Sequence, residues 1–72
     1  MGNEAIETVT TKHGRITIYG CWDHETPEDQ YSFYDLYDAQ GICLNLGNPF
    51  WYEEGRPTVQ VIEEFLDDMG DR

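Results

Sequence analysis

Along RITIYGCW, residues 15–22, apolar and polar positions alternate: Ile16, Ile18 and Trp22 fall on one side, Arg15, Thr17 and Tyr19 on the other. A period of two marks a half-buried strand. Residues 5–11 form a weaker, β-branched stretch of the same kind, and KHGR between the two reads as a tight turn with Gly14 at a left-handed position. YSFYDLYD, residues 31–38, predicts a third strand with Tyr31, Phe33, Asp35 and Tyr37 on one face and Tyr34, Leu36 and Asp38 on the other. In DAQG, Asp38 is placed to open a type I turn that Gly41 closes in the left-handed region. ICLNL, residues 42–46, is then expected as a fourth strand, with Ile42, Leu44 and Leu46 pointing one way and Cys43 and Asn45 the other.

After Pro57 the period changes to 3.6, predicting a helix over 58–69 with Thr58 as its N-cap. Val59, Val61, Ile62, Phe65, Leu66 and Met69 fill one continuous arc; Gln60, Glu63, Glu64, Asp67 and Asp68 fill the opposite one. The apolar arc needs a sheet face to cover. The expected fold is therefore α+β: a small antiparallel β-sheet of three or four strands in a meander, with one C-terminal α-helix packed on one face. Residues 1–72 form a single domain.

A chain of 72 residues has a small core and little room for a buried catalytic pocket. Its 39% hydrophobic and 14% aromatic content nevertheless belongs to a folded protein. Charge is the outlying property: fifteen acids face four bases, for a formal net charge of -11. Glu4, Glu7, Lys12 and Arg15 cancel within residues 1–22, so the rest of the chain holds the imbalance. Direct contact with nucleic acid or an anionic membrane is disfavoured, since each calls for a basic patch. With no signal-peptide pattern or membrane-length apolar run, the chain is expected to be soluble and cytoplasmic.

Ten of the fifteen acids fall in three segments. Glu63, Glu64, Asp67 and Asp68 crowd the last turns of the helix, where the backbone dipole favours cations. Like charges four residues apart cost ~0.2–0.5 kcal/mol per pair, and a broken local rule often marks a functional surface. DHETPEDQ adds Asp23, Glu25, Glu28 and Asp29, and the aromatic run 50–52 continues into Glu53 and Glu54. Exposed Tyr and Trp beside acids suit interface anchors. Tyr34, Tyr37, Trp51 and Tyr52 are the candidates, while Tyr31 and Phe33 read as ordinary cross-strand packing.

Other chemistry is weaker. His24 stands among Asp23, Glu25, Glu28 and Asp29, but the spacing fits no calcium loop or zinc motif, so no metal or cofactor is expected. Cys21 and Cys43 read as small buried hydrophobes, with a redox or cross-strand pair as the alternative, and no nucleophile–base spacing marks an enzyme.

In size, acidity and strand-then-helix build, the chain resembles phage-encoded inhibitors of bacterial defence, including DNA mimics and anti-CRISPR proteins. The likeness is one of general character and transfers no residue. It implies a protein-binding inhibitor whose partner is a basic surface of a larger, nucleic-acid-binding protein. Replacing Glu64, Asp67 and Asp68 by their amides is then expected to weaken binding with thermal stability equal or better. The alternative is a homo-oligomeric or accessory subunit, for instance a homodimer, with an aromatic self-interface.

Overall fold

A computed structural model describes residues 2–22, 31 and 33–70. Strands β1 (Gly2–Thr11), β2 (Gly14–Trp22) and β3 (Phe33–Tyr37) form an antiparallel sheet in the order β1-β2-β3, followed by one helix, α1 (Thr58–Gly70). The two turns form as their residues predict: Gly14 and Gly41 adopt φ of +99° and +83°, a region that favours glycine. Asp38 opens the second turn, its Oδ1 accepting the N–H groups of Gln40 and Ile42 while its carbonyl accepts that of Gly41.

Strand alternation sets the two faces of the sheet. Ile16 and Ile18 of β2 and Leu36 of β3 are buried with Phe50, Val61 and Ile62, and Val9, Leu44, Phe65 and Leu66 pack around them. The helix thus covers one face with its apolar arc. Thr58 is the first helical residue, and the Pro57 carbonyl accepts the Val61 N–H at 3.1 Å, so the cap lies one residue earlier than Thr58. On the opposite face Tyr19 and Tyr37 meet edge to face at 5.0 Å, and the Thr8 and Thr17 hydroxyls pair at 3.0 Å.

ICLNL is not a strand. Cys43 makes a single bridge to Tyr37, and the expected alternation is lost: Leu44 packs on the core, but Asn45 is 1% exposed, whereas Ile42 and Leu46 are 61% and 82% exposed. The cause is the Asn45 side chain, which takes a place that strand backbone would occupy. Its Oδ1 accepts the Leu36 N–H at 2.8 Å, and its Nδ2 donates to the carbonyls of Tyr34 and Asn48 at 3.1 and 3.0 Å. The Leu44 N–H reaches the Leu36 carbonyl on one side, and Tyr34 exchanges backbone bonds with Phe50 on the other. The outer edge of β3 is therefore closed by one carboxamide and short backbone bridges. Side chains of this type compete with ladders in the same way at turns.

Because this carboxamide is buried and fully partnered, Asn45→Ala leaves one N–H and two carbonyls to find new partners. We expect a loss of roughly 2–4 kcal/mol in chemical denaturation, and a larger one for Asn45→Asp. Unchanged stability in Asn45→Ala would remove the carboxamide from this role.

Candidate protein-binding surface

The helix covers only part of its sheet face, and aromatic rings cover the rest. Gly20 leaves that face bare, and a Cβ there would lie 2.5 Å from the Tyr31 ring. Tyr31 lies over the gap, on the helix side rather than beside Phe33, and is not itself part of β3. A row of rings follows, with centroids 4.9–6.0 Å apart: Trp22, Tyr31, Tyr34, Tyr52, Phe50 and Phe65. Adjacent rings meet tilted or edge to face, the favoured geometries for such pairs.

This row accounts for much of the aromatic excess. Tyr34 and Tyr52, expected as partner anchors, are half-buried against the core. Burial, then the charge of Glu7, pushes the Tyr52 hydroxyl up to about 12, and this hydroxyl has no hydrogen-bond partner among the described residues. Tyr37 is half-buried against Tyr19 on the other face, while Trp51 is 55% exposed.

The helix acids divide into two groups, each spent partly inside the molecule. Asp67 holds the β1–β2 turn, where Lys12 Nζ pairs with its Oδ2 and His13 Nε2 lies 3.0 Å from its Oδ1. Glu63 accepts the Lys12 backbone N–H at 2.7 Å. The hydrogen bond from Lys12 holds the Asp67 carboxyl below the ordinary carboxylate range. On the other flank Arg56 joins Glu53, at 3.0 Å, to Glu64. Carboxylates crowd the helix end because it fastens a cationic hairpin turn. Glu54 and Asp68 are exposed, and Asp23, Glu25, Glu28 and Asp29 lie outside the described residues.

Glu4 and Glu7 belong to the acidic surface although they appeared cancelled in the sequence. Lys12 turns to Asp67 instead. In a regular strand, residues three apart face opposite ways. Here the register shifts between Ala5 and Glu7, so Glu4 lies opposite Gly20 and Glu7 opposite Ile18, and both point to the helix side. The Tyr31 hydroxyl bonds to Glu4, and Glu7 acts on Tyr52, in keeping with that placement. No local signal in GNEAIETVTT announces the bulge at Ile6.

A groove of about 690 Å³ lies between the β1–β2 turn, the Asp38 turn and the end of α1, lined by His13, Arg15, Asp38, Leu44, Leu66 and Met69 among others. Cys21 and Cys43 are free thiols. Burial, then a hydrogen bond to Asp35, raises Cys21 to about 11, so at neutral pH it is an inert thiol. Among the described residues no cluster of three His, Cys, Asp or Glu side chains is arranged to hold a metal, and no helix is long and apolar enough to cross a membrane. No protein-family model, curated protein or solved structure matches the chain.

Two substitutions test this arrangement. Tyr52→Phe removes a hydroxyl that is buried without a partner, so we expect an equal or higher Tm; a clear loss would mean that the hydroxyl is bonded. Asp67→Asn is expected to lower the Tm, whereas the sequence led to equal or better stability for the combined replacement of Glu64, Asp67 and Asp68. Since the folded state depresses the Asp67 pKa, its stabilisation is present above the unfolded value and lost as pH falls through the folded one. The Tm gap between the two proteins should therefore be full at neutral pH and close below about pH 4. A gap that persists in acid would rule out the charged form as its source.

Proposed function

We propose that the chain is a small acidic binding protein that inhibits a larger protein by occupying its basic, nucleic-acid-binding surface. The carrying observation is where the positive charge goes. Fifteen carboxylates face four basic side chains, and two of those, Lys12 and Arg56, are committed to the helix and its lead-in. β1 carries Glu4 and Glu7 on one face and no base at all. The remaining field is strongly negative and would steer the chain toward a cationic partner. Carboxylates one helical turn apart lie ~5–6 Å from each other, a spacing suited to Lys and Arg side chains that otherwise grip phosphates.

The mechanism is steric and electrostatic. Glu54, Glu63, Glu64 and Asp68 would meet cations lining a nucleic-acid site, with Trp51 as the aromatic anchor. This reading agrees with the general resemblance to DNA mimics and anti-CRISPR proteins.

Self-association is the second reading, favoured by the exposure of Ile42, Leu46 and Trp51. Retention of proteins from cell extract at low salt, followed by competition with duplex DNA, separates the two. We expect a basic nucleic-acid-binding protein that is released by salt and by DNA. Its affinity should fall at least about tenfold between ~50 and ~200 mM salt, as for a contact of several charges. Glu54→Gln, Glu63→Gln, Glu64→Gln and Asp68→Asn together should weaken the contact further. A salt-insensitive homodimer in a solution-mass measurement, with no DNA-competed partner, would overturn the proposal.

A further inference from the structure

The two edges of the sheet are treated differently. The outer edge of β3 is closed by Asn45, Cys43 and Phe50. The outer edge of β1 pairs with no strand among the described residues, and its ten residues include an exposed run from Asn3 to Thr8. At ~3.3 Å per residue this is an edge of roughly 30 Å with main-chain donors and acceptors facing solvent. Such edges are commonly protected by Lys, Pro or brevity. β1 has none of these, and its protection is the bulge at Ile6 and the two glutamates around it.

Those glutamates choose the occupant. In an added strand, residues opposite Glu4 and Glu7 on the helix-side face are favoured if cationic and penalised if acidic. A second copy would bring another β1 without a base and another -11 of net charge. We infer that the β1 edge accepts an extended, basic segment of a partner protein as a fourth strand, with Lys or Arg at alternate positions against Glu4 and Glu7. The bulge sets that alternation, because it puts the two carboxylates opposite Ile18 and Gly20, two residues apart on β2. Main-chain bonds would hold the strand, and the paired charges would select it. The inference rests on the acidic-binder reading above and adds a contact at the β1 edge to those of the helix.

A capped peptide of alternating Lys and Thr tests it, added at low salt to the full isotope-labelled chain. Two controls share its composition: one with Lys and Thr in separate blocks, one with alternate backbone nitrogens methylated. The alternating peptide should perturb amide resonances across Gly2–Thr11 and slow exchange of β1 amides that face away from β2. Methylation should abolish this effect, and Glu4→Gln with Glu7→Gln should weaken binding by about fivefold or more. Equal binding of the methylated peptide would overturn strand addition, as would perturbation confined to α1 and Glu54; either leaves the acidic-binder reading intact. Failure of every basic peptide to bind would sink both. Protection of β1 through a dimer in the absence of peptide would show that the occupant is a second copy.

Discussion

Closing the edge of β3 depends on one buried carboxamide. Asn45 receives the Leu36 N–H and donates to the carbonyls of Tyr34 and Asn48, so β3 needs no fourth strand. Phe50 is then held opposite Tyr34, within reach of Phe65, and the aromatic row can continue from the core toward Trp22. A small protein gains from such a device because it seals polar backbone without adding another element. The cost is that the 42–50 segment turns Ile42 and Leu46 to solvent.

The acidic helix end has a comparable logic. Helix dipole and like-charge repulsion both oppose Glu63, Asp67 and their neighbours. The β1–β2 turn offsets this by presenting the Lys12 side chain, the Lys12 N–H and His13 to them. These contacts join positions 51 to 55 residues apart in the chain. They also divide the carboxylates into internal fasteners and outward charge. Net charge alone does not make that division.

Much of the fold was legible because its elements obey simple periods. The alternation of Ile16 and Ile18, the helical arc ending at Met69, and the Asp38 and Gly41 turn residues all appear where their patterns place them. ICLNL has a strand's alternation, which cannot show that an Asn side chain will replace a backbone rung. Tyr31 departs from its alternation for a related reason: its ring lies over the space left by Gly20, a tertiary fact. In the candidate surface, the acidity of 53–54 and of the helix is plain in the sequence. The partners of Asp67 and Glu64 are distant in the chain and are not. Glu4 and Glu7 cancel Lys12 and Arg15 in composition, and only the bulge, which composition does not show, brings them to one face.

That bulge has a further consequence. Ala5 already lies opposite Tyr19 and Glu7 opposite Ile18, which are consecutive in β2. Ile6 is therefore a supernumerary residue in the pairing. A chain shortened by that single isoleucine would keep its alignment with β2 while straightening its border into an uninterrupted template. Length at this point, more than side-chain identity, separates a fold with a kinked rim from one whose open edge is a regular template for another strand.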